Sequence, residues 1–172
     1  MIDPEWPVWH AIKVVRRGPT GRLFGAAEII TEVEYWQDRP SEPEMAGTKL
    51  FVFEYVEDAQ QFAGYQFTDG TARILEIWSC LAWNMKPAPD VIFALTATVT
   101  RHMLATYWQN DPWQLTLGDL ENHRLRGTPQ GSFVVDAVQL VEMLYRDCTQ
   151  FRKQGEPLRL WDTTRTSTAS SS

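Results

Sequence analysis

The sequence predicts an α+β fold built mostly on an antiparallel sheet. Two strand-like runs, 8–15 and 22–30, flank the turn residues Gly-Pro-Thr-Gly, which indicates a hairpin. A strand, a short helix and a second strand follow within 49–84, and apolar residues after 136 recur at three- and four-residue steps, which is typical of a helix. We therefore expect a central β-α-β-like unit and a C-terminal helix packed on the sheet.

The central unit carries the clearest local signals. Residues 49–55 are rich in aromatic and β-branched side chains, which suit a strand. Glu57 and Asp58 fall in the first turn of the helix predicted over 56–63, where the positive end of the helix dipole favours carboxylates. The run 72–83 is apolar on both faces through much of its length, which predicts a strand in the middle of the sheet.

Residues 84–127 depart from this pattern and are interpreted as a peripheral insertion with a helical element. Asp90 can cap a helix over 91–109, where apolar residues recur at helical spacing. Threonines alternate over 96–100, however, and alternating β-branched residues also suit a strand. Helix and strand therefore both remain open for 91–109.

The last predicted elements are a strand over 132–135 and a helix after it. Asp136 and Gln139 are three residues apart and resemble a capping box at a helix start. This helix is expected to pack one apolar face across the sheet. The residues of that face are Ala137, Leu140, Val141, Leu144, Cys148 and Phe151.

Composition bounds the size and the partners of the protein. A mass of 19.8 kDa with 44% hydrophobic residues is enough for one domain with a real core, which we assign to 1–162, with a Ser/Thr-rich tail at 163–172. The net charge of −6 argues against general binding to nucleic acids or anionic membranes, because both depend on Lys and Arg. No apolar run approaches the roughly 20 residues of a membrane helix. Cys80 and Cys148 lie in apolar segments and are interpreted as buried thiols, so we expect a soluble cytoplasmic or virion protein.

No motif for metal, nucleotide or nucleophile chemistry stands out. The three histidines lie far apart, and none has metal-ligand spacing to a cysteine or carboxylate; no P-loop or nucleophile elbow occurs. We therefore predict neither a metal nor a cofactor. Glu76, on the predicted central strand, is interpreted as a buried carboxylate in an ion pair with Arg16 or Arg73.

About half of the chain resembles small uncharacterised proteins of phages and bacteria. The likeness rests on 50–53 (Leu-Phe-Val-Phe) with its following helix, and on 74–77 (Ile-Leu-Glu-Ile). It also includes 129–132 (Pro-Gln-Gly-Ser) with 136–138 (Asp-Ala-Val), which in those proteins form a turn and a strand. This resemblance implies a phage origin.

The order of phenylalanines and alanines before the second strand of the central unit is also loosely similar to the pattern in ADP-ribosyltransferases. These enzymes need an arginine on an early strand, a Ser or Thr on a middle strand and a late catalytic glutamate. The resemblance implies Arg16 for the first role and Ser79 for the second. No glutamate follows in a matching strand-end position, which leaves Glu76 as the candidate carboxylate.

The leading hypothesis is a non-enzymatic protein-interaction or assembly subunit, encoded by a phage as a virion or accessory protomer. Its partner would be another protein or a second copy of the chain. Trp83, Trp108 and Trp113 form the predicted interaction surface, because tryptophan is frequent at binding hot spots; they also fit a small satellite core. The alternatives are an ADP-ribosyltransferase-like nucleotide-handling enzyme or sink, and a counter-defence inhibitor that binds a host protein.

Overall fold

The strands of this chain are mostly antiparallel, and helices pack on one face of their sheet. The computed structural model describes residues 2–26, 33–65, 75–93, 99–116, 118–119 and 125–151. The elements are β1 (Val8–Arg17), β2 (Leu23–Gly25), β3 (Leu50–Phe53), α1 (Val56–Tyr65), β4 (Leu75–Trp83), β5 (Lys86–Pro87), β6 (Val91–Phe93), α2 (Arg101–Gln109), β7 (Leu125–Gly127), β8 (Ser132–Val135) and β9 (Ala137–Tyr145). The predicted α+β fold is confirmed. The predicted tail, 163–172, lies outside the described residues.

The predicted β-α-β-like unit is confirmed, with another strand between its two strands. In the main sheet the order is β5-β8-β3-β1-β4-β9, and β2 pairs with β1. Because β3 and β4 are both antiparallel to β1, they run parallel to each other, and α1 makes the crossover between them. The predicted hairpin is confirmed as β1 and β2; the end of its return strand, 27–30, lies outside the described residues.

The sheet curls so far that two consecutive strands, β8 and β9, pair with strands from its opposite halves. Only Asp136 separates β8 from β9, yet β8 pairs with β3 and β9 pairs with β4. In a flat sheet these two strands would lie four strand spacings, about 19 Å, apart. Val135 and Ala137, two residues apart in the chain, can be separated by at most about 7 Å. Strands β8 and β9 therefore act as one bent strand that closes β3, β1 and β4 into a small ring.

Asp136 is bonded to both sides of this closure. Its backbone N–H donates to the Trp83 carbonyl at 2.9 Å. Its carboxylate accepts from Lys49 Nζ and from Asn84 Nδ2, each at 2.5 Å. Lys49 directly precedes β3 and Asn84 directly follows β4, so one side chain ties the two halves of the ring together.

The inner face of the ring is one apolar cluster to which every ring strand contributes. A segment around Val33 and Tyr35 adds buried side chains from outside the strands. The buried members are Ala11, Val15, Val33, Tyr35, Leu50, Val52, Trp78, Cys80, Ala82, Val135, Val138 and Leu140. Because the side chains of a strand alternate between faces, the neighbouring residues point to the outer face.

Helix α1 and the 3₁₀ turn Cys148–Phe151 cover one end of the outer face. The buried members of this second cluster include Val14, Phe53, Ala59, Phe62, Ala63, Leu75, Ile77 and Cys148. Glu57 and Asp58 lie in the first turn of α1, as predicted from the helix dipole. Ala59, Phe62 and Ala63 of the helix are thus buried against the sheet.

The inserted region 84–127 contains a helix, but a shorter one than the sequence predicted. Residues 91–93 form β6, which pairs with β7, so the helix does not begin after Asp90. It begins after Thr100, whose hydroxyl accepts from the Met103 N–H at 3.1 Å. Tyr107 Oη donates to the carbonyl of Val91 at 2.7 Å and fastens α2 to β6. The threonines at 96 and 98 lie outside the described residues.

The prediction of a C-terminal helix after Asp136 is wrong, because Ala137–Tyr145 is strand β9. Two register shifts leave Val141 and Leu144 without a paired residue on β4, and both are exposed. Each extra residue forms a β-bulge, and the bulge at Val141 lengthens the interval between inward side chains from two residues to three. Inner-face residues Leu140 and Met143 are three apart for this reason, and the bulged strand imitates helical spacing.

The strand assignment predicts unequal costs for two leucine truncations. Leu140→Ala removes a side chain that is 1% exposed and should lower the free energy of unfolding by about 2–5 kcal/mol. Leu144→Ala truncates a bulged side chain that is 39% exposed and should cost about 1 kcal/mol or less. Urea unfolding followed by tryptophan fluorescence measures both. Equal losses would contradict the strand, because residues four apart share a face in a helix.

Candidate functional site

One part of the outer face has no covering element among the residues that the structure describes. Val14 and Ile77 point outward beneath α1, so the outward positions of β1 and β4 lie at two-residue steps from them. Three cross-strand pairs occupy the next steps along the strands; Ile12, in the first of them, still packs against the cluster under α1, and the other two pairs lie beyond it. We call this surface the outer platform, and its residues are Val8, His10, Ile12, Ser79, Leu81 and Trp83.

The outer platform is largely apolar and open to solvent. Val8 is 50% exposed, and Leu81 and Trp83 are half-buried. Strand β9 lies beside this surface, with the half-buried Gln139 paired to Leu81 and the fully buried Ala137 paired to Trp83. Because β4 is paired along its length on both sides, these side chains project from a rigid base.

The platform was missed in the sequence because a C-terminal helix was expected to cover it. That segment is strand β9, which lies beside the platform at the edge of the sheet. The remaining helix, α1, has ten residues and is about 15 Å long, whereas β4 has nine residues and spans about 30 Å. The difference in length was a usable signal that part of the strand face would stay open.

Of the three predicted interaction tryptophans, Trp83 lies on the platform and the other two lie elsewhere, in an aromatic cluster. The ring centroids of Trp108 and Trp113 are 5.9 Å apart, and Trp108 is 6.1 Å from Phe51 of β3. Lys86 Nζ lies 4.1 Å from the centroid of Trp113, whose indole N–H donates to the Pro87 carbonyl at 2.9 Å. These contacts pack α2 and the turn after it against β3 and β5.

Glu76 is buried on the inner face, and its partner is Arg17. Arg17 Nε and Nη2 donate to the two carboxylate oxygens at 2.5 and 2.9 Å, and Trp78 Nε1 donates at 3.0 Å. The hydrogen bond to Glu76 raises the pKa of Arg17 above its usual value. The expected ion pair is therefore present, with Arg17 in place of Arg16; Arg73 lies outside the described residues.

The three residues that the ADP-ribosyltransferase resemblance suggests do not converge. Arg16 is paired with Leu75 on the outer face and lies over the Phe24 ring, 4.9 Å from its centroid. Ser79 also points outward, and its hydroxyl bonds the backbone of Glu142. Glu76 points to the opposite face, into the ring. This arrangement offers no common site for a substrate.

Lys13 is a second buried charge, whereas its place near basic residues of the first hairpin had indicated a solvated strand end. Its side chain is on the inner face, where Nζ donates to the Phe51 carbonyl at 2.7 Å and lies 4.7 Å from the Tyr35 ring centroid. The alternation with Ala11 and Val15, both inward, was the signal for this orientation. Lys13 and Glu76 are thus engaged inside the ring and do not reach the outer platform.

The thiols and acidic groups provide no reactive centre on the platform. Burial raises the pKa of both Cys80 and Cys148 to about 12, so neither is a thiolate at neutral pH. Within the described ranges, no three His, Cys, Asp or Glu side chains are grouped closely enough to hold a metal ion. Four of the six platform side chains, Val8, Ile12, Leu81 and Trp83, are apolar.

Comparison with known proteins adds no family assignment. Protein-family models, curated proteins and solved structures contain no match to this chain. Helices α1 and α2 have ten and nine residues, and no helix in the described part of the chain is long and apolar enough to cross a bilayer. What the outer platform does must therefore be argued from its own geometry.

The contacts of Trp108 predict a structural role for the aromatic cluster. Trp108→Ala should lower the free energy of unfolding by about 2–4 kcal/mol, somewhat less than for a fully buried ring. Trp108→Phe is the matched control and should cost clearly less, because it keeps an aromatic ring against Phe51. Urea unfolding measures both variants. If Trp108→Ala left the free energy of unfolding unchanged, the structural role would be contradicted and the predicted interaction surface would be favoured for this cluster.

The separation of Arg16 from Glu76 predicts no ADP-ribosyl chemistry. Incubation with NAD and candidate acceptor proteins should release no nicotinamide and produce no mass increase on any acceptor. Chromatography of the nicotinamide and mass spectrometry of the proteins measure the two outcomes. The ADP-ribosyltransferase hypothesis would be supported if the chain showed turnover that is lost in Arg16→Ala and kept in the surface control Arg39→Ala.

Proposed function

We propose that this chain is a non-enzymatic protein-interaction module that binds a protein partner through the outer platform. The observation that carries the proposal is the open apolar row of the sheet, in which Val8 is 50% exposed beside the half-buried Trp83. On the same two strands, Val14, Leu75 and Ile77 are buried beneath α1, and the inner-face residues from Ala11 to Val15 and from Trp78 to Ala82 are buried in the ring. The platform is an apolar part of the sheet that a partner can cover.

The platform has the properties of a protein-binding surface. Aromatic residues are enriched in the cores of protein interfaces, and Trp83 supplies a large ring that is already held by its strand. A preformed surface loses little conformational freedom on binding, which favours affinity. Polar groups of the platform, including His10, can satisfy a partner's hydrogen bonds next to the apolar row.

The distribution of charged side chains favours binding over catalysis. The buried charges Lys13 and Glu76 are held by partners inside the ring. On the platform, the Ser79 hydroxyl both donates to the Glu142 carbonyl and accepts from its N–H. A nucleophile needs a neighbouring base, and Ser79 has a backbone partner instead.

A virion or accessory role in a phage remains a prediction from the resemblance, and so does assembly with further copies of the chain. Inhibition of a host protein is the alternative use of the same platform. Self-assembly and host inhibition differ in the partner: in self-assembly it is a second copy of the chain, and in inhibition it is a different protein. A test that reports the mass of the bound partner separates them.

Site-specific photo-crosslinking tests the proposal. Benzoylphenylalanine in place of Val8 should give a discrete adduct in the native cells, because this side chain projects from the platform. The control carries the same group in place of Thr106, an exposed position on α2, and should give no such adduct. Gel mobility and mass spectrometry measure the adducts, and twice the chain mass indicates self-assembly. The absence of an adduct at position 8, or the same adducts at both positions, would refute the proposal.

A further inference from the structure

The outer platform is bordered by carboxylates from several separate segments. Glu142 of β9 is paired with Ser79 and is exposed. Glu54 is exposed and directly follows Phe53, which is paired with Ile12. Both therefore flank the row of the platform that contains Ile12 and Ser79.

Two more carboxylates border the opposite end of the platform. The Asn84 N–H donates to the Pro7 carbonyl at 2.9 Å, which places the N-terminal arm, with the exposed Glu5, beside the end of β4. Residues 36–41 run along the free edge of β9, where Ser41 exchanges two backbone hydrogen bonds with Val138. The exposed Asp38 lies in this segment.

Fewer basic side chains border the platform, and each has a partner within the chain. The Arg39 guanidinium lies 3.9 Å from the centroid of the Trp36 ring. Near the end of β4, Lys49 is paired with Asp136, and Lys86 Nζ lies 4.1 Å from the centroid of the Trp113 ring. Arg16 and Arg17 lie at the other end of β1, beyond the area that α1 covers. The outer platform is thus an apolar strip with a negative border.

We infer that the partner presents apolar side chains flanked by Lys or Arg to this platform. The inference rests on the proposed function and adds the chemistry of the bound segment. Complementary charges at an interface border favour association and exclude partners of like charge. The four carboxylates Glu5, Asp38, Glu54 and Glu142 would repel an acidic segment and attract a basic one. Because they are exposed, their effect should weaken as salt rises.

A random dodecapeptide display library, selected on the intact chain and depleted on Val8→Asn, provides the probe. The enriched peptides should combine apolar residues with Lys or Arg. A synthetic peptide of the enriched sequence should bind the chain, as measured by fluorescence anisotropy, and binding should weaken at least about tenfold in Val8→Asn. Raising the salt from about 0.05 to 0.5 M should weaken binding to the parent at least about fivefold.

Charge variants separate the inference from the proposed function. Glu54→Gln combined with Glu142→Gln should weaken binding about fivefold, which corresponds to about 1 kcal/mol. The control is Glu44→Gln, an exposed carboxylate that pairs with Arg101 and should change binding less than about twofold. Thermal melting establishes that each variant is folded.

The possible outcomes lead to different conclusions. Peptides that depend on Val8, on salt and on the two border carboxylates support the inference. Peptides that depend on Val8 but are uncharged or acidic, or that ignore the charge variants, overturn the inference and leave the proposed function in place. A selection that yields no peptide dependent on Val8 in the folded chain overturns both.

Discussion

The carboxylate of Asp136 is the contact on which the closed sheet depends. It accepts from Lys49 on the β3 side and from Asn84 on the β4 side, while its own N–H bonds the Trp83 carbonyl. Asn84 has a φ of 58°, a left-handed conformation that asparagine tolerates better than most residues. Charge-assisted hydrogen bonds to a partly buried carboxylate are among the stronger polar interactions in proteins. They hold the bend where one strand leaves β3 and joins β4.

Closure of the ring determines where polar and apolar side chains go. Inside, every strand contributes to one cluster, and the charges of Lys13 and Glu76 are buried there with hydrogen-bonding partners. Removing one partner from a buried ion pair is strongly destabilising, so these charges serve the interior. Outside, among the described residues, α1 and the turn Cys148–Phe151 cover part of these two long strands. The rest of their outer face is the outer platform, to which we assign the proposed binding.

The sequence-based binding hypothesis assigned three tryptophans to one surface, but in the structure they lie in two different places. Trp83 does lie on the open platform, but Trp108 and Trp113 pack α2 against β3 and β5. Tryptophan frequency alone does not separate these uses, because a ring can bury its surface within its own chain or against another. Neighbouring side chains decide which occurs, and they come from distant parts of the sequence.

Local sequence determined the mixed fold, the first hairpin, the β-α-β-like unit, the acidic start of α1 and the burial of Glu76, because alternation, turn residues and dipole effects act over a few residues. Tertiary structure decided the identity of Arg17 as the partner of Glu76, the ring closure at Asp136 and the strand character of 137–145. Asp136 caps a helix or holds a strand bend equally well, and bulges at Val141 and Leu144 gave a strand the spacing of a helix. Only pairing with β4, more than fifty residues away in the chain, distinguishes the two, because backbone hydrogen bonds from a strand must be satisfied by another strand.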